Sequence, residues 1–234
     1  MHAQALAGLE HESPTMELPD FFEQVPRLRV QDPLARVLGT ARDGVLEYGY
    51  ADVVRLSGHS CPTVASAYWL TFLALERLYR GALPQRGGIR VDFRDDARSG
   101  SIGVMATVVQ MLTGAAGNSG FKGLGESRFA RAGLMRYRPD LLLAMRFTRL
   151  DTRAAVDAGV DLLHVPADPR VDPLMARVAA GRATVHDERQ LAELWQRRVR
   201  SLLLDFGRDP AVFVLKPVRQ VPAPAGATLA AHLH

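Results

Sequence analysis

The residues best able to do chemistry stand close together in Leu56-Ser57-Gly58-His59-Ser60-Cys61-Pro62-Thr63. Cys61 is the only cysteine of the 234 residues, and His59 stands just before it in a His-x-Cys spacing. A cysteine offers a soft sulfur ligand or a nucleophile, and a histidine offers a nitrogen ligand or a proton acceptor near neutral pH. Pro62 fixes φ at a value suited to the first turn of a helix, and a long apolar segment follows it. The pair is therefore expected at a helix mouth, where the partial positive charge of free N–H groups favours a thiolate. Three uses fit these residue types: metal ligands, a nucleophile with its base, or a small buried thiol beside a satisfied polar ring.

A second stretch, Ala115 to Gly125, contains GNSGFKGLG. Glycine permits close approach of backbone to a ligand, and Asn118 and Lys122 can meet an anion there. It is not a Walker A loop, because it lacks the GK[ST] ending before a helix. The plain alternative is a surface loop. Asp95 and Asp96 are adjacent acids in a polar loop and read as solvated. His2 and His11 read as exposed, and His164 and His186 stand near element ends.

The elements that must position these groups follow from periodicity. Pro62 to Leu78 is the clearest helix, with Val64, Ala67, Tyr68, Phe72, Leu75 and Leu78 at helical intervals and apolar residues round most of its circumference. Ile102 to Leu112 is a second apolar helix, and Gly114 suits its left-handed C-cap. Asp32-Pro33 starts a short helix that Gly39 stops, and Phe21-Phe22 begins another short one. Thr184 caps a long segment, Val185 to Phe206, with Leu191, Leu194, Trp195, Val199 and Leu202 as its apolar stripe and the arginines opposite. Asp172-Pro173 starts a helix ended by Gly181. Ile89 to Phe93 alternates as a strand. Val45 to Leu56 reads as a strand or extended entry to the His59 turn. Phe129 to Arg138 and Leu141 to Thr148 read as a hairpin about Pro139-Asp140, and Val160 to Val165 and Val212 to Lys216 as short strands.

Composition narrows the function classes. Apolar residues make up 47% and charged residues 23%, so the chain can bury a proper core. The net charge of +4 is spread along the chain with no basic block interleaved with aromatics, which argues against nucleic-acid binding. One cysteine excludes an intramolecular disulfide framework and fits a reducing compartment. The first residues lack a secretory pattern, and no apolar run is long enough to span a bilayer. The expectation is a cytoplasmic protein with a loose leader over residues 1–25, one domain over 26–217 and a flexible tail over 218–234.

Taken in order, a GHxCP turn opening a long helix, a strand, and a second helix ending in Gln110-Met111-Leu112-Thr113-Gly114 before a Gly/Asn/Lys loop resemble the FmdE family, named for a component of formylmethanofuran dehydrogenase. Its members carry a His-Gly-His-x-Cys-Pro-Gly turn and later a Thr-Gly-Cys followed by Gly and Lys. The similarity covers roughly residues 50 to 150. It implies an α+β fold in which helices cover a mixed β-sheet, here with a C-terminal helical extension. It implies a zinc site, with nickel or another transition metal as alternatives, held by His59 and Cys61. Thr113 and Gly114 match the family's loop, and Asn118 and Lys122 follow as cofactor-binding candidates.

The chain departs from the pattern at Ser57, Thr63 and Ala115, which stand where the family has His, Gly and Cys. Ile102, Val104 and Thr107 replace acidic and cysteine positions. Zinc takes three or four protein ligands, so others must come from elsewhere, with Asp52, Asp92, His164 and His186 as candidates. A metal-binding protein ranks first. A partner-binding module with a degenerate site follows, and an enzyme using Cys61 and His59 on a small molecule comes third. The apolar helix faces suggest a homodimer.

Overall fold

The computed structural model describes residues 17–218. Of the leader expected over residues 1–25, the part before Glu17, with His2 and His11, lies outside the described residues, as does the tail beyond Val218, while Phe22 and Val25 are buried in the core.

Helix α3 (Pro62–Tyr79) is the centre of the fold. Pro62 occupies its first turn, and the Cys61 sulfur caps it by accepting from the Val64 N–H at 3.4 Å. Tyr68, Leu70, Ala74 and Leu75 point in different directions round the helix and are all buried. A helix apolar on nearly every side must be covered on nearly every side, and only Glu76 and Arg77 in its last turns are exposed. Helix α4 (Ile102–Thr113) lies along it, and α2 (Tyr50–Ser57) packs on both.

The other flank is a five-stranded sheet in the order β4-β3-β5-β6-β7, with β3 Ile89–Phe93, β4 Met135–Tyr137, β5 Met145–Arg149, β6 Ala155–Val160 and β7 Phe213–Val218. β4 runs parallel to β3 and the other neighbours are antiparallel. The protein is thus an α+β fold with a mixed sheet. Ile89, Val91, Phe93, Met145, Phe147, Val156 and Ala158 form the face that meets the helical core. A separate two-stranded sheet pairs β1 (Leu28–Gln31) with β2 (Val45–Tyr48). Asp32 caps the short α1 (Pro33–Val37), as expected.

Helices α5 (Val171–Ala179) and α6 (Val185–Arg200) form the C-terminal extension and share a small core of Val171, Leu174 and Leu194. Thr184 and Asp187 form a reciprocal cap at the start of α6. The helix then widens into a π-helical turn, Ser201–Asp205, where the Leu203 carbonyl accepts from the buried Trp69 indole at 3.0 Å. Gly207 lies so close to the Trp69 ring that a Cβ there would collide with it. None of the helices among the described residues is long and apolar enough to cross a membrane.

Several elements differ from expectation. The stretch over Val45 to Leu56, expected as a strand or an extended entry to the His59 turn, breaks at Gly49 into β2 and α2. Asp52 accepts from the Gly49 N–H at 2.8 Å, and Tyr50, Val53 and Val54 recur at helical spacing. The hairpin about Pro139-Asp140 does not form, because β3 lies between β4 and β5. The connection instead wraps the end of β3. Arg138 N–H donates to the Phe93 carbonyl at 2.7 Å, and Arg94 N–H donates to the Ala144 carbonyl at 2.9 Å. The strand expected at Val160 to Val165 lies earlier, at β6. There Asp157 meets Arg146, while Asp161 accepts from Leu163 N–H and turns the chain into a 3-10 turn, Leu162–His164. The short helix at Phe21-Phe22 is a 3-10 turn, Asp20–Gln24, whose buried Phe22 ring sits edge-on to Tyr50 at 4.9 Å.

The edge strand β7 carries its own protection. Asp161 N–H donates to the Val212 carbonyl, so in the antiparallel ladder Val214, Lys216 and Val218 turn their backbone groups toward β6. Phe213, Leu215 and Pro217 turn theirs outward. Phe213 N–H is taken by the Asp209 carbonyl at 2.8 Å and Pro217 has no N–H, so among the described residues Leu215 is left as the outward donor of that edge. Replacing Pro217 by valine adds an outward N–H beside it. The expected result is edge-to-edge association, read as a rise in mass by light scattering at rising concentration; an unchanged mass would contradict it.

Candidate functional site

The His59 turn is built by the two helices it joins. Gly58 ends α2 in the left-handed region at φ 73°, where its N–H closes on the Val54 carbonyl. His59 then lies exposed, and its Nδ1 is 2.9 Å from the Ser57 carbonyl. A carbonyl only accepts, so Nδ1 is the donor in this contact. Ser60 follows with its hydroxyl 3.0 Å from the Tyr50 hydroxyl. Its carbonyl accepts from both the Trp195 indole and the Gln196 amide of α6, each at 3.1 Å. Cys61 is half-buried, packs on the main core and caps α3. Tyr50 is fully buried, and that burial pushes its hydroxyl well above the usual phenol range, so it serves as a neutral partner.

The turn is therefore a joint of α2, α3 and α6. Tyr50, Ser60, Trp195 and Gln196 are its missed members. Trp195 belonged to an apolar stripe in the sequence, but nothing in the spacing tied it to a serine carbonyl 135 positions away.

The donors for a metal do not gather here. Among the described residues no three His, Cys, Asp or Glu side chains lie together in a way that could hold an ion. Asp52 is tied to Gly49 N–H and Arg55. Asp92 pairs with Arg90 at 3.0 Å, and His164 stands 3.4 Å from Asp161. His186 is in the first turn of α6. Ser57 and Ala115 supply no metal-binding side chain, and Ala115 is wholly buried. His59 and Cys61 alone fall short of the three or four protein ligands that zinc takes. Two surface cavities, one beside Trp69 and Arg208 and one beside Leu73 and Arg77, are lined by neither residue.

The second predicted stretch is arranged differently from a cradle. The Thr113 hydroxyl donates to the Val109 carbonyl at 2.7 Å and accepts from Ala115 N–H at 3.1 Å, so it closes the end of α4. Gly114 is the left-handed C-cap at φ 73°, as expected. Asn118 and Lys122 stand exposed on the loop beyond.

Beside Gly114 lies a buried ion cluster that the sequence did not reveal. Asp32 accepts from Arg131 Nη2 at 2.7 Å and Arg86 Nη1 at 2.9 Å, besides capping α1. Burial pushes the Asp32 carboxyl upward, but the Arg86 hydrogen bond, the Arg131 charge and the Ala35 N–H outweigh it. Together they hold Asp32 below the usual carboxylate range. On the sheet face opposite the core, a row of alternating charge runs across all five strands: Arg136, Asp92, Arg146, Asp157 and Lys216. Arg146 holds Asp157 through two nitrogens.

The sequence matches no known protein family, and no curated protein is similar to it. Among solved structures, a tungsten formylmethanofuran dehydrogenase FmdE-like protein from Syntrophus aciditrophicus is similar over 75% of this chain and 74% of its own, with 16% identity and a TM-score of 0.39. A likeness of that size leaves the fold and chemistry to be read from this chain's own residues.

Asp32 gives the site a signature in acid. In the unfolded chain its carboxyl takes a proton near pH 3.9, the ordinary aspartate value, before the folded one does. Its contribution is thus complete above that pH and is lost as pH falls through the lower folded value. Asp32→Asn keeps an N-cap but breaks a buried pair, which costs about 3 kcal/mol near neutral pH. In denaturant unfolding across pH 5 to 2, the wild type should lose stability more steeply than this variant. Parallel curves would refute the assignment.

Proposed function

We propose that this chain is a divergent FmdE-like protein that acts as a partner-binding module, with the ancestral metal position converted into a structural joint. The observation that carries this reading is the Ser60 carbonyl, clamped by Trp195 and Gln196 of the C-terminal extension. A turn that orients donors toward an ion needs its lone pairs free. Here the carbonyl, the Ser60 hydroxyl and the Cys61 sulfur are all turned to the protein. The residues standing at family ligand positions, Ser57 and Ala115, point the same way. The lone thiol, bound as a helix cap, fits work in a reducing cytoplasm. A second copy of the chain is the partner that the sequence favours, and Leu142 and Leu163 are largely exposed at 81% and 94%.

One observation favours the other reading, a zinc or nickel ion at His59 and Cys61. The His59 Nε2 is free at the surface within a His-x-Cys spacing. A ligand from outside the chain would then complete the sphere. An enzyme using Cys61 as nucleophile and His59 as base has less support, because His59 Nδ1 is turned to Ser57 and neither of the two surface cavities is lined by the pair.

Metal analysis of purified protein separates the two. The joint predicts less than stoichiometric zinc or nickel, the same content in a Cys61→Ser, His59→Ala double variant, and a stability change from Cys61→Ser below about 1 kcal/mol, since serine is a good N-cap. Stoichiometric metal that disappears in the double variant would replace the joint by the metal site.

A further inference from the structure

The glycine-rich excursion after α4 is closed largely on itself. Arg131 and Ala132 N–H groups donate to the Phe121 carbonyl at 2.7 and 3.0 Å, and Leu124 and Arg128 exchange two backbone hydrogen bonds. Ser127 and Phe129 are non-glycine residues at φ 66° and 63°, a conformation that costs free energy and persists only when the surroundings impose it. Most side chains from Asn118 to Arg128 are exposed, including Phe121, Lys122 and Leu124. One charged side chain of the segment goes the other way. Arg131 is only 6% exposed and reaches Asp32, 99 positions earlier in the chain.

The route it takes is specific. Gly87 and Gly114 both lie against the guanidinium, at φ 80° and 73°. A Cβ at Gly87 would occupy the space of the guanidinium itself, and one at Gly114 would stand 3.1 Å from it. Gly87 N–H is also fixed, by the Thr113 carbonyl at 2.7 Å. The passage between the end of α4 and the turn before β3 is thus shaped to the arginine.

Asp32 does not need Arg131 for neutralisation. Arg86 pairs with it at 2.9 Å, and two N–H groups of α1 satisfy the same carboxylate. Arg131 gains less than a first partner would, and its buried Nε has no hydrogen-bond partner. A buried ion pair is a weak source of net stability but a strong selector of one geometry, since breaking it leaves an uncompensated charge. We infer that Arg131, seated against Gly87 and Gly114 and paired with Asp32, is a latch that holds the segment from Ala116 to Ala132 in one conformation and so fixes where Asn118, Phe121, Lys122 and Leu124 are presented. Arg131 is a positioning residue, and the latch stands independently of whether the His59 turn holds a metal.

Hydrogen exchange of the full-length protein tests it, with Arg131→Met, which keeps the stem, and Arg131→Lys, which keeps the charge on a shorter reach. The latch predicts that amides of Leu124, Arg128, Arg131 and Ala132 exchange at least about tenfold faster in the methionine variant, less so in the lysine variant, while α3 and β3 to β6 keep their rates. Unchanged rates in the segment would overturn it. A uniform rise across the chain, or failure of both variants to fold, would also overturn it, because the pair would then be a support for the whole fold.

Discussion

Helix α3 is buried on every flank except a stripe in its second half, where Glu76 and Arg77 stay exposed. Burying Tyr68, Trp69, Leu70 and Leu75 contributes about 1.5–3 kcal/mol per large side chain, and that gain exists only if those flanks are covered. The rest of the architecture follows as a set of covers. α2 and α4 lie on one side, the apolar face of the sheet on the other, and the π-helical turn after α6 closes over Trp69. A helix so enclosed cannot slide or rotate without opening cavities on several sides. Its N-terminus is therefore fixed, and with it Cys61 and the turn that precedes it.

That rigidity holds the Ser60 carbonyl and the Cys61 sulfur toward the protein while His59 stays exposed. In Ser57-Gly58-His59-Ser60-Cys61, glycine reverses the chain after α2, and the proline that follows starts α3. Those two demands are mechanical and persist whatever the side chains between them do. The distance from Ser60 to α6 is then closed by two side chains donating to one carbonyl, and a buried acceptor so satisfied is costly to uncover. Local sequence therefore reports the bend, and the long-range partner decides whether the bend is a ligand cradle or a joint.

The same division runs through what the sequence made legible. α3, α4, α6 and α1 were readable because their signals are local: proline at a first turn, Asp32 and Thr184 as caps, glycine at a left-handed end. The short alternating β3 was readable for the same reason. β6 was not, since Ala-Val-Asp-Ala-Gly-Val has weak strand preference and is held by Arg146 on one neighbour and β7 on the other. The failed hairpin at Pro139-Asp140 shows that a turn signal gives a reversal without saying which strand lies beside which. Neither the Asp32–Arg131 pair nor the Ser60 clamp leaves a spacing that sequence reading can detect, because both join positions about a hundred residues or more apart.

Charge then does for the sheet what apolar burial does for α3. The row Arg136, Asp92, Arg146, Asp157, Lys216 alternates in sign from one strand to the next, so each residue faces opposite charge on its neighbours. A slip of one residue between β5 and β6 would turn Arg146 into the apolar core and leave Asp157 without it. Asp92 is wholly buried beside Arg90 of its own strand, and any register that removed Arg146 or Arg136 from its flanks would strip cross-strand positive charge from a buried carboxylate. Apolar burial alone would accept several alignments of such short strands, since Val, Ala and Phe are tolerant neighbours. The ionic row rejects them, and it does so on the face opposite the apolar core.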